Sequence, residues 1–164
     1  PLLEFSSTIW SPYTVSDINR VESVQRYFTK HIYYLRDSAY KERLVNPGID
    51  SLHCRRVEAD LLWCYKLLHG LTGVKSDDFF VLSHNVNLRG NQFKLAKPVI
   101  TSARDGNFFC HRVINIWNAL PDCIVTADTI ACFKHSLYRF DLSDYVNYLG
   151  CLFVLNYFSL GLPF

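Results

Sequence analysis

Asp77 and Asp78, in the stretch VKSDDFF, are the adjacent carboxylate pair of the sequence. Two neighbouring carboxylates can hold a pair of metal ions for phosphoryl or nucleotidyl transfer. Enzymes of that kind set the pair at the tip of a β-hairpin, after an aromatic and a small residue. Here Lys75-Ser76 precede it and a loop-like segment leads in, so the reading is a turn or helix start with solvated carboxylates. Cys132 and His135 are i, i+3 neighbours, and Cys64 lies near His69. Zinc sites draw on two tight ligand pairs, usually including Cys-x₂₋₄-Cys, and no Cys-x-x-Cys occurs. Cys110 and His111 are adjacent, which on a helix turns their side chains about 100° apart and rules out a nucleophile–base pair. No catalytic residue and no metal ligand is assigned.

The basic residues carry more. Arg20, Arg26 and Lys30 lie on one arc of an amphipathic stretch, with Tyr27 and Tyr33 adding aromatic surface. Arg55, Arg56, Arg89, Lys94, Lys97 and Arg112 extend the supply. Phosphate attraction is long-range and sequence-independent, so scattered Lys and Arg on one surface suffice to hold a nucleic-acid backbone. The competing reading is an ordinary solvated face, because Asp17, Glu22, Glu42, Glu58 and Asp60 are interspersed. The net charge of +2 is too small to decide between them.

These residues must be positioned by helices. Pro12 disfavours helix at Ser11, and Ser16 or Asp17 can cap the stretch that follows. Ile18, Val21, Val24, Phe28, Ile32 and Leu35 then recur at helical spacing, opposite Arg20, Arg26 and Lys30. Pro47-Gly48 marks a turn. Ser51 is placed to cap a second helix with Val57, Leu61, Leu62, Tyr65 and Leu68 on its apolar side, ended by His69-Gly70. The segment QFKLAKP alternates and reads as a short strand over residues 92–97, closed by Pro98. NFFCHRVINIWNALP is helical until Pro121. A last helix starts at Asp128 or Thr129 and runs through Ile130, Phe133, Leu137 and Phe140.

At 164 residues, 49% hydrophobic and 15% aromatic, the chain can bury a core, and with 20% charged residues it is not a disordered polymer. Cys54, Cys64, Cys110, Cys123, Cys132 and Cys151 have no signal peptide before them, and four lie in apolar helical patterns. They read as free thiols in a reducing, intracellular compartment. The fold expected is mainly α, with one short β element.

Several stretches together resemble the region that follows the catalytic palm in non-LTR (LINE) retrotransposon reverse transcriptases, with closest likeness to the jockey group. They are PLLEFSSTIWSP, DINRVESVQRYFTK, YKERL, SLHCRRVEADLLWCYKLLHG, DDFF, RGNQFKLAKP, NFFCHRVINIWNALPD and FKHSLYRF, in the family's order from Pro1 to about Phe140. The resemblance implies a helical, thumb-like region over residues 1–140 and an apolar tail over 141–164 that matches nothing in the family. It implies that a palm with an aromatic-x-Asp-Asp motif precedes Pro1, so that this chain is a non-catalytic fragment of an RNA-directed DNA polymerase. The parent would need Mg²⁺; this segment would need no cofactor. Its partners would be the template–product duplex and the palm, and its compartment the nucleus or cytoplasm. Arg20, Arg26 and Lys30 would face nucleic acid, while Trp10, Phe28, Trp63 and Trp117 would pack in the core. Asp105-Gly106 stands where these elements are commonly basic, and FKHSLYRF carries fewer Lys and Arg than usual. Both departures suit a partly decayed copy.

Two other readings stand beside this one. Residues 145–164 carry no charge, and such a run has about the length a bilayer-spanning helix needs, ~20 residues. A membrane anchor flanked by Tyr145, Tyr148 and Tyr157 is therefore an alternative, weakened by Asn147, Asn156, Gly150, Gly161 and Pro163. The third reading is a domesticated fragment that serves as a protein-interaction module.

Overall fold

A computed structural model of the chain describes residues 2–83, 92–100, 102–140 and 142. In order, the helices are α1 (Ser7–Trp10), α2 (Val15–Lys30), α3 (Tyr40–Val45), α4 (Leu52–Leu68), α5 (Ala103–Gly106), α6 (Phe109–Ala119), α7 (Asp122–Val125) and α8 (Ile130–Tyr138). Two short 3-10 turns, Tyr33–Leu35 and Ser76–Asp78, are interposed. The mainly helical expectation holds. Among the described residues the strand expected over 92–97 is reduced to one antiparallel bridge between Leu82 and Leu95, closed by Ser83 N–H to Lys94 C=O and Ala96 N–H to Val81 C=O. Residues 141 and 143–164 lie outside the described residues, and with them the proposed apolar tail. Among the described residues no helix is long and apolar enough to cross a membrane.

The helix ends follow local chemistry. Thr14, rather than Ser16 or Asp17, caps α2: its Oγ1 accepts from the Asp17 N–H at 3.1 Å. The Thr14 hydroxyl donates in turn to the Asp17 carboxylate, so Asp17 serves as the third residue of the first turn instead of the cap. Ser51 caps α4 through the Cys54 N–H as expected, and of the two candidates Asp128 and Thr129 it is Thr129 that caps α8, through the Cys132 N–H. At the end of α4, Gly70 sits at φ 65°. There Leu71 N–H reaches Lys66 C=O and Gly70 N–H reaches Leu67 C=O, a Schellman closure. Gly48 at φ 65° performs the same service after α3, with Ile49 bonded to Leu44.

The chain forms two compact units whose division falls inside α4, between Val57 and Glu58. No composition change signals it. The first unit, residues 1–57 joined by Leu142, has a small apolar core of Ile18, Leu35, Leu44, Leu52 and Cys54. Buried among these are Ser7, Glu22, Thr29, Arg43, Ser51 and Arg56, so polar groups form much of the interior.

The second unit, residues 58–140, has a conventional core. Leu61, Cys64, Tyr65, Val113, Ile114, Trp117, Val125, Phe133 and Leu137 are buried. Tyr65 stacks on Phe133 at 4.3 Å between ring centroids, and its hydroxyl donates to Ala127 C=O at 2.6 Å. Trp117 Nε1 donates to Phe93 C=O at 2.9 Å, so the largest core side chain leaves no buried N–H unmatched. The Asn118 amide pairs with both backbone groups of Leu95 at 2.9 and 2.8 Å, which ties the bridge segment to α6. Of the four aromatic residues expected as core packing, Trp117 alone is buried; Trp10, Phe28 and Trp63 are exposed.

Candidate nucleic-acid interface

In the first unit the position of every basic residue depends on how α2 is rotated. Its buried residues are Ile18, Glu22 and Thr29, with Gln25 half-buried between them. Val24 and Phe28, on the arc expected to face the core, are exposed. Taking ~100° per residue, the helix is turned by roughly 80° from the orientation its apolar pattern suggests. Polar anchors account for the difference. Gln25 Nε2 donates to Asp50 C=O at 2.9 Å. The Glu22 carboxylate accepts from the Tyr40 hydroxyl and from the Leu52 N–H, the first backbone donor of α4. A carboxylate at a helix N-terminus is favoured by the unpaired N–H groups and the helix dipole. These bonds are directional and buried, so they outweigh the weaker preference to cover Val24 and Phe28. Glu22, which the competing reading of a solvated face would leave in water, lies in the core.

Tyr40 is the centre of this cluster. The Arg26 guanidinium stands 5.0 Å from its ring centroid and that of Arg43 5.5 Å, both within cation–π range. Burial, followed by the hydrogen bond to Glu22, pushes the Tyr40 hydroxyl far above its ordinary range, so it stays a donor. His53, in the first turn of α4, is lowered to about 4 by burial and then by Arg56, and is neutral at physiological pH.

The candidate phosphate-binding residues divide accordingly. Arg20 and Lys30 are exposed on α2, and neither forms an ion pair among the described residues. Arg26 is half-buried, donating to Asn19 Oδ1 at 3.3 Å beside the Tyr40 ring. Arg55 is exposed but paired with Glu4, Nε to Oε1 at 2.7 Å. Arg56 is buried and does not belong to any solvent face.

In the second unit Lys97 is exposed and Lys94 half-buried. Arg112 forms a two-pronged pair with Asp60, at 2.7 and 2.9 Å, and donates a third bond to Asn107 C=O at 2.8 Å. It is a structural residue here. Arg89 lies outside the described residues. The structure thus brings Arg20 and Lys30 onto one free face and withdraws Arg56 and Arg112. Sequence reading overlooked Arg36, which is exposed just after the 3-10 turn. Its signal, a cation following Tyr33-Tyr34, was available.

The other candidate chemistry does not assemble. Asp77 and Asp78 occupy an exposed 3-10 turn. His69 Nε2 donates to Val125 C=O, and His111 Nδ1 to Asp105 C=O, so both rings brace the backbone. Cys132 and His135 are exposed on α8. Cys54, Cys64, Cys110, Cys123 and Cys132 are not joined in disulfides. Burial, with Asp60 nearby, raises the Cys64 thiol well above its ordinary value, so it remains unreactive. No group of three His, Cys, Asp or Glu side chains that could hold a metal occurs among the described residues.

Comparison with known proteins found no matching family model, no matching curated protein and no matching solved structure.

Proposed function

We propose that this chain is a nucleic-acid-holding region, of the kind that follows the palm in a non-LTR retrotransposon reverse transcriptase, and that it contributes grip rather than chemistry to RNA-directed DNA synthesis. The observation that carries the reading is the solvent face of α2. Arg20 and Lys30 stand there without acidic partners among the described residues; Glu22 is buried toward α3 and α4, and the exposed Asp17, one turn before Arg20, is engaged by Thr14. Two unneutralised cations on one helix face attract a phosphate backbone, and the attraction requires no base contact. The collinear sequence stretches supply the family context. In that context Arg26 positions Tyr40 and helps set the rotation of α2, and so acts on the face from beneath it.

Charge reversal tests the reading. In an electrophoretic mobility experiment at low salt, the full chain retards labelled RNA, and the double variant Arg20→Glu/Lys30→Glu does not. Equal retardation by both proteins defeats the proposal. The family assignment is tested separately by reading the genomic frame upstream of the Pro1 codon for an aromatic-x-Asp-Asp motif.

A further inference from the structure

We propose that the exposed face of α2, continued by the 3-10 turn Tyr33–Leu35, recognises single-stranded nucleic acid by stacking unpaired bases on its aromatic side chains. The inference rests on the nucleic-acid reading above and assigns the form of nucleic acid taken.

Four aromatic side chains within eight residues face solvent: Tyr27 at 70% exposure, Phe28 at 68%, Tyr33 at 93% and Tyr34 at 71%. Side chains this open add almost nothing to the core of their own unit, so folding does not explain them. Tyr27 and Phe28 belong to one stripe of α2, and Tyr33 and Tyr34 follow in the 3-10 turn just beyond its end. Arg20, Val24, Tyr27/Phe28 and His31 follow at i, i+3 and i+4 spacing, one rung per helical turn. The rungs are partly fixed before any ligand arrives. The Tyr27 and His31 rings lie 4.3 Å apart, and His31 Nδ1 donates to Tyr27 C=O at 2.8 Å, which holds the imidazole against the phenol.

The charges name the occupant. Arg20 and Lys30 are exposed on α2, and Arg36 is exposed just after the 3-10 turn. The exposed carboxylates, Asp17 and Asp37, stand at its two ends, and Asp17 is already engaged by the Thr14 hydroxyl. A rim of cations around aromatic faces fits an anionic partner that also presents flat π-surfaces. A duplex hides its base faces in the stack and would use only the cations. A single strand uses both, its phosphates on Arg20, Lys30 and Arg36 and its bases on the rings.

The test uses the full chain with two labelled probes, an oligouridylate and an RNA–DNA hybrid duplex, read by fluorescence anisotropy. The wild-type chain should prefer the single strand. Tyr27→Ala/Phe28→Ala and Tyr33→Ala/Tyr34→Ala should each weaken oligouridylate binding by ~10-fold or more. They should leave duplex binding and thermal stability nearly unchanged. Tyr27→Phe/Tyr33→Phe/Tyr34→Phe keeps the rings and should bind as the wild type does, whereas Tyr33→Leu/Tyr34→Leu keeps apolar area without a π-face and should not. Undiminished oligouridylate binding by the Ala and Leu variants overturns the inference. If Arg20→Ala/Lys30→Ala loses binding in that case, the phosphate-grip reading survives alone. Absence of binding to both probes by the wild type defeats both. Sedimentation showing that the aromatic variants dissociate a dimer, with RNA affinity intact, would assign the face to a second copy of the chain and overturn the inference.

Discussion

Arg112 on α6 holds Asp60 on α4 through two parallel hydrogen bonds, Nε to Oδ2 at 2.7 Å and Nη2 to Oδ1 at 2.9 Å. The pair is largely withdrawn from water, with 18% and 7% of the side chains accessible. A bidentate guanidinium–carboxylate fork in that setting positions two helices of the second unit; it does not reach for a phosphate.

Removing one partner should therefore be costly. Arg112→Ala should lower the unfolding free energy by ~3 kcal/mol, because both prongs of a largely buried fork to the Asp60 carboxylate are lost. The double variant Asp60→Leu/Arg112→Met should recover much of the loss, since it removes both charges together. Urea denaturation of the three proteins checks this. Equal stability of the single variant and the wild type would show the fork to be dispensable.

The Glu22–Tyr40 bond should be measurable in the same way. Tyr40→Phe keeps the ring under Arg26 and Arg43 and deletes only the donor to the buried carboxylate. Hydrogen bonds to charged groups contribute ~1.5–3 kcal/mol, and a loss within that range is expected on denaturation. A variant as stable as the wild type would mean that Glu22 is satisfied without the hydroxyl.

His53 gives the first unit a pH dependence of definite sign. Its value falls from 6.5 in an unfolded-like state to about 4 in the fold, from burial first and Arg56 second. The unfolded chain therefore binds the extra proton in this window, so the His53 contribution is complete above pH 6.5 and is lost as the pH falls toward 4. The slope approaches ~1.4 kcal/mol per pH unit at most. Asp50 acts in the opposite sense, since burial raises its carboxyl against the lowering effect of Arg55. Denaturation midpoints followed downward from pH 6.5 should drop for the wild type and change less for His53→Gln. Parallel curves would contradict the assignment.

Leu2, Phe5 and Ile9 are almost fully open to solvent, although Ser7 in the same segment is buried and Trp10 Nε1 donates to Phe5 C=O. Changing Leu2, Phe5 and Ile9 to Ser should raise solubility with a melting temperature shift within the ordinary surface range, about 0.5 kcal/mol in free-energy terms. A large drop in melting temperature would show that these side chains pack after all.

Much of the helical framework could be read directly from residue order. Ser51, Gly70, Thr129 and Pro121 mark boundaries because caps and breakers act within a few residues of chain. The period of Val113, Trp117 and Leu120 placed α6 correctly, since a fully apolar stripe has one comfortable orientation. The first unit was harder. The rotation of α2 depends on where Tyr40, Asp50 and Leu52 sit, and those positions are distant in sequence from Glu22 and Gln25. A helix whose buried face includes Glu, Gln and Thr defeats any argument from hydrophobic period. The same cause misplaced Phe28 and turned Arg26 toward Tyr40. Arg112 was misjudged for a related reason: nothing local pairs it with Asp60. The β element over 92–97 is limited to a bridge because alternation there supplies a strand pattern, while among the described residues only Leu82 supplies a bridge partner.

The central claim is that Arg20 and Lys30 on the free face of α2 hold a nucleic-acid backbone. Its most direct test is the salt dependence of RNA affinity, wild type against Arg20→Ala/Lys30→Ala. For a single strand each phosphate contact contributes ~0.7 to the slope of log affinity against log salt, so loss of both cations should flatten it by ~1.4. Unchanged slope and affinity in the double variant would contradict the account and leave the face of α2 without a role in nucleic-acid binding.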